Sequence, residues 1–177
     1  LNMEISQQIS DLRKKSLLHG VEFEWIESDE LERPYRDLLL HQRDMTSTLA
    51  RFHGAEISLK ILQERSEGDF YLREVLLSAG PKVVEYGLIE VAVNHLEESL
   101  RNKILSGEEP LGGILNDSGL DYHSQPVGFF QIESRKFTPD FFPFAGGKFL
   151  FGRYNTLLDG DRRILARIVE ILPYEES

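Results

Sequence analysis

The sequence contains no cysteine, which excludes disulfide bonds, thiolate nucleophiles and cysteine-ligated metal sites. Basic residues are a minority: 20 Lys and Arg stand against 30 Asp and Glu, a formal net charge of -10. Since phosphate contacts need clustered cations, this balance argues against non-specific binding to nucleic acid or to an anionic membrane. An anionic ligand would therefore need a locally basic pocket within an acidic protein.

Long apolar runs are missing as well. No stretch approaches the ~20 residues that span a bilayer, and no basic-then-apolar leader is present. We therefore expect a cytoplasmic protein. The composition of 41% hydrophobic and 28% charged residues over 177 positions suits a folded domain with its own core. Because no repeat or linker divides the sequence, residues 1–177 are predicted to form a single domain.

The first third of the chain is predicted to be helical. Helices are expected over residues 3–19 and 28–42. A third helix is expected to begin after Asp44, a typical N-cap residue, and to end at Gly54. Residues 21–26 are short, apolar and aromatic, and the sequence assigns them to neither a helix nor a strand.

Beyond Glu56 the hydrophobic period becomes that of an antiparallel sheet. Polar and apolar side chains alternate between turn residues, and Asp159-Gly160 is a strong tight-turn pair. The predicted strands cover residues 56–63, 70–77, 83–93, 125–136, 148–158 and 163–172, with a helix over 94–106 and an aromatic loop over 137–144. The predicted fold class is therefore α+β, a single domain with about six strands in one antiparallel sheet behind N-terminal helices.

One charged residue stands inside the most apolar of these strands. Arg73 lies in the run 70–77, where both faces are otherwise apolar apart from Glu74, and an arginine stays charged at physiological pH. Burying it without an anion would be very costly. Arg73 therefore either pairs with Glu74 or another acid of the protein, lies at the rim of the sheet, or binds a ligand carboxylate.

Two further segments could contribute to such a site. Pro110 suits the start of a short helix, and the amides of Leu111, Gly112 and Gly113 would then be open to a carboxylate or carbonyl. Glu170 lies among apolar residues, where desolvation raises the pKa of a carboxyl group. It could pair with Arg73, or it could bind a hydroxyl and transfer a proton.

Familiar catalytic and cofactor motifs are absent from the sequence. No two of its five histidines stand at metal-ligand spacing, and neither a nucleophile elbow nor a dinucleotide loop occurs. The run 145–148 has a glycine before a lysine but lacks the rest of a phosphate-binding loop. The residues therefore provide no motif for a metal site or a nucleotide cofactor.

Four separated segments together resemble the chorismate lyase (chorismate–pyruvate lyase) family, in particular its shorter archaeal and bacterial branch. They are Asp44-Met45-Thr46, Tyr71-Leu72-Arg73-Glu74-Val75-Leu76-Leu77, Glu109-Pro110-Leu111-Gly112 and Glu170-Ile171-Leu172-Pro173. The resemblance covers roughly residues 30–173, and the arginine strand and the Pro-Leu-Gly turn are its specific parts. It implies an antiparallel sheet with a buried site under helical flaps. The implied reaction is cofactor-free conversion of chorismate to 4-hydroxybenzoate and pyruvate.

The resemblance also implies roles for individual residues. Arg73 and Glu170 would be the catalytic pair: the arginine grips the ring carboxylate and the glutamate binds the 4-hydroxyl. The backbone of Leu111, with the open amide of Gly112 beside it, would contact the same carboxylate. The backbone of Met45 would meet the hydroxyl end.

Two departures from the family pattern affect the expected site. The spacing from Glu170 to the following proline is one residue shorter, and a one-residue slip in a strand reverses the face of a side chain. A second family arginine aligns with Leu88, so the enolpyruvyl carboxylate needs another partner. Arg153 or Lys148 is the predicted substitute.

An alternative of another class stays open. Ligand-sensing domains of many transcription regulators share this fold and bind small molecules, such as aromatic acids, without converting them. Those regulators begin with a basic winged-helix domain, and the residues before Glu56 show no such pattern, which favours the enzyme. Lyase chemistry on a related cyclohexadiene acid is a third hypothesis. In each case the expected partner is a small molecule rather than nucleic acid or membrane, and the sequence does not indicate an oligomeric state.

Overall fold

A single antiparallel sheet runs through the computed structural model, which describes residues 3–14, 16–137, 139–142 and 147–175. Within these residues the strands are β1 (Glu24–Ile26), β2 (Ile57–Glu67), β3 (Phe70–Ala79), β4 (Lys82–Ala92), β5 (Tyr122–Glu133), β6 (Phe149–Asp159) and β7 (Ile164–Leu172). They are ordered β1-β5-β6-β7-β4-β3-β2. The strand carrying Arg73 therefore lies one strand in from the β2 edge.

The helices lie before the sheet and in one excursion between β4 and β5. They are α1 (Met3–Arg13), α2 (Tyr35–Leu39), α3 (Met45–His53), α4 (Glu98–Ser106) and α5 (Leu111–Ser118). As predicted, Asp44 caps α3, since its side chain accepts the Ser47 amide, and Gly54 ends the helix in the left-handed conformation that glycine adopts readily. This arrangement confirms the predicted α+β class.

One unassigned segment is a strand, and two local predictions were wrong. Residues 24–26 pair with β5 and add a seventh described strand to the sheet. The helix expected over 28–42 is broken into a 3₁₀ turn at Ser28–Glu30 and the five residues of α2. Pro34 explains this break, since proline disfavours the helical conformation of the residue before it. The first helix stops at Arg13, several residues before the predicted end.

Alternation along the strands separates two buried layers. In β3 the side chains of Tyr71, Arg73 and Val75 face α4 and α5, whereas Leu72 and Leu76 face α1 and the aromatic segment after β5. In that predicted aromatic loop Phe137 and Phe142 are buried against the α1 layer, while residues 138 and 143–146 lie outside the described part. The helices over the Arg73 face cover the candidate site.

Candidate ligand-binding site

A cavity of about 50 Å³ lies between the sheet and the N-termini of α3 and α5. Its sheet side includes Arg73, Glu85 and Glu170, and its helix side includes Met45 and Leu111. Most of the remaining lining is aliphatic. Few, well-placed polar groups in an otherwise apolar cavity are typical of a small-molecule site.

Arg73 is a buried cation of this cavity whose hydrogen-bonding groups are mostly unused. Its side chain is 1% exposed, and Nη2 donates a long hydrogen bond of 3.4 Å to the Glu109 carbonyl. Neither Nε nor Nη1 has a hydrogen-bond acceptor among the described residues. Burial lowers the pKa of Arg73, and the nearby Tyr71 hydroxyl and Glu64 carboxylate act in the opposite direction. The guanidinium is thus buried, facing the cavity, with donors left over.

Glu74 does not pair with Arg73, although one hypothesis from the sequence joined them. Consecutive residues of a strand point to opposite faces, and Glu74 lies in the α1 layer. There its carboxylate accepts hydrogen bonds from the Leu17 amide at 2.7 Å, from the Tyr86 hydroxyl and from the Gln63 amide group. Arg73 and Glu74 therefore lie on opposite faces of the sheet and do not form an ion pair.

The N-terminus of α5 points its amides at the same cavity. Pro110 occupies the N-cap position, its side chain provides no cap, and the first hydrogen bond of the helix joins the Ile114 amide to the Pro110 carbonyl at 3.2 Å. The amides of Leu111 and Gly112 precede that bond, so the helix does not use them. They add partial positive charge and free donors close to the guanidinium.

Helix α5 is tied to the N-cap of α3 across the rim. Asn116 of α5 donates to the Asp44 carboxylate at 3.1 Å, and the Tyr122 hydroxyl donates to Asn116 at 2.6 Å. Gly112 allows this approach, because a Cβ at that position would lie 2.9 Å from the Cβ of Asp44. The Asp44 carboxylate is thereby engaged with the ends of the two helices.

Glu170 faces the cavity but is already paired with Arg153. The Nε of Arg153 donates to one carboxylate oxygen of Glu170 and Nη2 donates to the other at 3.4 Å. Its Nη1 donates to the carbonyls of Leu39 and His41 at 3.0 and 3.1 Å. Arg153, which is 0% exposed, therefore lies behind Glu170 and outside the cavity lining. The shorter spacing from Glu170 to the proline has not turned its side chain away from the cavity.

The other predicted site residues divide into two groups. Met45, Leu111 and Gly112 line the cavity with Arg73. Lys148 is exposed, with its Nζ 4.9 Å above the Phe149 ring, and it is not part of the lining. Leu88, at the aligned position of a second family arginine, is buried in the α1 layer. Arg73 is thus the single Lys or Arg among the described lining residues.

Sequence reasoning missed Glu85, which lines the cavity from β4. This residue is 3% exposed, and its Oε2 has no hydrogen-bond partner among the described residues. Burial, and after it the charge of Glu170, raise the pKa of Glu85 well above its ordinary value, while Arg153 acts in the opposite direction. The signal was present in the sequence: Glu85 is an acid inside an apolar strand, the same pattern that singled out Arg73.

The described residues offer neither a metal cluster nor a membrane-spanning helix. No group of three or more His, Asp or Glu side chains there could hold a metal ion. Likewise, no helix in the described ranges is long and apolar enough to cross a membrane.

Similarity to known proteins is confined to the fold. Neither a protein-family model nor a curated protein sequence matches the chain. Among solved structures, PhnF from Mycobacterium smegmatis aligns with a TM-score of 0.57 and 14% identity, covering 98% of this chain and 81% of that one. The effector domain of the same PhnF aligns at 0.54 and 11% identity, covering 74% and 88%. The possible transcriptional regulator YydK from Bacillus subtilis subsp. subtilis str. 168 aligns at 0.50 and 10% identity, covering 71% and 61%.

Proposed function

We propose that this domain is a non-catalytic binding domain for a small organic anion, in the manner of a regulator's effector domain. The observation that carries the proposal is the state of Arg73: a fully buried guanidinium with two nitrogens unpartnered, facing a cavity and an uncapped helix end. A buried charge without a partner is costly, so an anion that entered would gain hydrogen bonds that the protein itself leaves unmade.

The fold relatives support the same class of function. The PhnF fragment is named as an effector domain, and YydK is named as a possible transcriptional regulator. At 10–14% identity these relatives indicate the architecture and leave the ligand to be inferred from this chain's own residues. Those residues favour a carboxylate or a phosphate group, because a guanidinium fork and helix amides recognise both.

The size of the cavity adds a condition to this proposal. A volume of about 50 Å³ has room for roughly four ordered waters, whereas an apolar cavity of ~150 Å³ is known to accept benzene. A ring-containing acid would therefore have to displace α3 or α5 outward. Such an opening would break the exposed hydrogen bonds that join α5 to Asp44 and to Tyr122 at this rim.

The test is titration calorimetry with 4-hydroxybenzoate and, separately, with inorganic phosphate. We expect at least one of them to bind, and we expect Arg73→Met to weaken that binding by about 100-fold, since a charge-assisted fork is lost. The matched control is Arg135→Met, which removes an arginine whose side chain is 81% exposed and far from the lining. Equal weakening by both substitutions, or none by Arg73→Met, would contradict the proposal.

Chorismate lyase chemistry is the second candidate. It is favoured by one observation: Arg73, Glu170, Met45 and Leu111, the set expected from the resemblance, line one cavity. Catalysis would rest on holding the substrate ring in a reactive geometry away from water, with aromatisation supplying the driving force. Two features weigh against it. Glu170 is engaged by Arg153, and chorismate carries two carboxylates where the described lining offers a single cation.

Mixing the protein with chorismate separates the two candidates. Release of pyruvate with a phenolic absorbance, abolished in Arg73→Met and retained in Arg135→Met, would establish the lyase and overturn the binding-only proposal. Stabilisation of the fold by 4-hydroxybenzoate without turnover of chorismate is the result we expect.

A further inference from the structure

Glu85 occupies the space that Gly87 leaves free on the sheet. A Cβ built at Gly87 would lie 3.3 Å from Oε1 of Glu85 and 3.0 Å from a methyl group of Val75. Gly87 in turn is the register partner of Val75 on one side and of Glu170 on the other. The Glu85 carboxyl group therefore lies over the middle of the sheet, close to Val75 and on the Glu170 side of the cavity.

The carboxyl groups of Glu85 and Glu170 both lie near the guanidinium of Arg153, which is behind the cavity floor. Both oxygens of Glu170 accept hydrogen bonds from Arg153, whose remaining donor group is used by the Leu39 and His41 carbonyls. Glu85 receives none of these hydrogen bonds, and its Oε2 is unpartnered within the described chain. An ionised carboxylate in that position would be buried, unpaired and next to a like charge, which is the arrangement that favours the protonated form.

We propose that Glu85 is held as a neutral carboxylic acid that donates a hydrogen bond to the ligand, so that the ligand is a monoanion carrying an acceptor oxygen opposite its anionic group. The inference rests on the proposed function and narrows its ligand class. With Glu85 neutral and Glu170 neutralised by Arg153, the sheet floor retains the single positive charge of Arg73. The Asp44 carboxylate at the rim is engaged by the Ser47 amide and by Asn116.

The register of the sheet places the two recognition points at different positions along the strands. Arg73 is opposite Ile89, and the Glu85 carboxyl lies over Gly87, two residues away along β4. Val75, the register partner of Gly87, adds an apolar surface beside the Glu85 carboxyl. A ring with a carboxylate at one end and a hydroxyl, ether or carbonyl oxygen at the other carries the two groups that Arg73 and Glu85 would recognise, with an apolar body for the aliphatic lining.

The protonation of Glu85 is tested first, by infrared difference spectroscopy of the purified protein at pH 7. The spectrum of the parent minus Glu85→Gln should contain the C=O stretching band of a protonated carboxyl group. The control difference, parent minus Glu56→Gln, should lack it, because Glu56 is exposed. Absence of the band from the Glu85 difference would overturn the inference without any ligand being needed.

The role as a donor is tested with a matched pair of probes, 4-hydroxybenzoate and benzoate, by calorimetry. We expect the parent to prefer the hydroxy acid by roughly tenfold, since the buried donor is left unmatched by benzoate. Glu85→Gln keeps an N–H donor and should keep this ratio, whereas Glu85→Leu should bring the ratio close to one. A ratio that Glu85→Leu leaves intact, or that Glu85→Gln abolishes equally, would contradict donation by a neutral acid.

The two proposals fail in different ways. If Arg73→Met leaves the binding of both probes unchanged, the anion site itself is wrong. If Arg73→Met abolishes binding but the Glu85 variants leave the probe ratio untouched, the anion site stands and the role of Glu85 is wrong. Should Glu85→Leu fold poorly, Glu85→Ala replaces it, because it too removes the donor and should bring the ratio close to one. The infrared band tests the protonation of Glu85 independently.

Discussion

Two buried arginines on the same face of one sheet have opposite surroundings. Arg153 gives its donors to both oxygens of Glu170 and to two carbonyls at the end of α2. Arg73 makes one long hydrogen bond to a carbonyl, and two of its nitrogens have no acceptor in the described residues. The protein therefore satisfies the hydrogen-bond donors of Arg153, whereas Arg73 keeps donors that a ligand could use.

This difference separates a structural charge from a binding charge. A buried ion pair with satisfied neighbours contributes to a specific arrangement of the chain, and breaking it leaves an uncompensated charge. A buried cation with free donors lowers stability until an anion arrives. Substitution of the two arginines by the same residue should therefore have opposite effects on folding.

The largest expected effect is on the paired arginine. Arg153→Met should lower the free energy of unfolding by about 3–5 kcal/mol, because Glu170 and the carbonyls of Leu39 and His41 lose their partner. Urea unfolding followed by circular dichroism measures this change. A loss below ~1 kcal/mol would mean that the pair is not a structural element.

A smaller effect is expected from the acid on the other face of β3. Glu74→Gln should lower the free energy of unfolding by about 1–3 kcal/mol. The new amide NH₂ group is a donor, and it would face other donors whose hydrogen bonds the Glu74 carboxylate accepts. The same urea titration measures it. The outcome that would contradict this prediction is a variant as stable as the parent, with Leu17 and Tyr86 satisfied in another way.

The unpaired arginine should behave in the opposite sense. Arg73→Met should leave the free energy of unfolding unchanged or raise it by ~1 kcal/mol, because a buried charge with few partners is replaced by an apolar chain of similar length. A loss of more than ~2 kcal/mol would show that Arg73 is held by the protein after all, and the contrast with Arg153 would disappear.

The smallest expected effect is the pH dependence of stability that His41 contributes next to Arg153. Burial, and then the charge of Arg153, lower the pKa of His41 to about 4 from an ordinary value of 6.5. Since the folded state resists protonation, His41 stabilises it fully above pH 6.5, and this contribution is lost as pH falls towards 4. The ring is partly exposed, so the loss should be less than ~1 kcal/mol.

Comparing His41→Gln with the parent between pH 4 and 7 measures this loss. The parent should lose stability on acidification, and the variant should lose less. Since Arg153 contributes to the lowered pKa, a second comparison can be made in the Arg153→Met background, where the parent's acid-dependent loss should shrink. A parent and a His41 variant with parallel pH profiles would exclude the effect.

Much of the fold followed from local patterns, and particular misses have physical reasons. Alternation and turn residues indicated six of the described strands, and the Asp44 cap and Gly54 marked α3 correctly. The three residues of β1 are too few to show the alternating hydrophobic pattern of a strand. They form a strand because they pair with β5, more than a hundred residues away. The break before α2 follows from Pro34, whose effect on its neighbour was underestimated.

Features of the site that follow from the burial of a charged residue could be predicted from the sequence. Features that depend on how two strands align could not. Arg73 was identified because a cation in an apolar strand needs an anion wherever the strand lies. That Glu170 is paired with Arg153 depends on the alignment of β6 with β7, which a linear sequence does not specify. Glu85 was missed although it satisfies the criterion that identified Arg73, so a uniform search for charges in apolar strands would have found it.

Gly112 allows α5 to approach α3 closely because it has no side chain. A single methyl group there would press against Asp44 at 2.9 Å and force the first turn of α5 away from α3. The cavity beneath would widen, and we expect it to accept larger ligands. The absence of a Cβ atom at Gly112 therefore keeps the gap between α3 and α5 narrow.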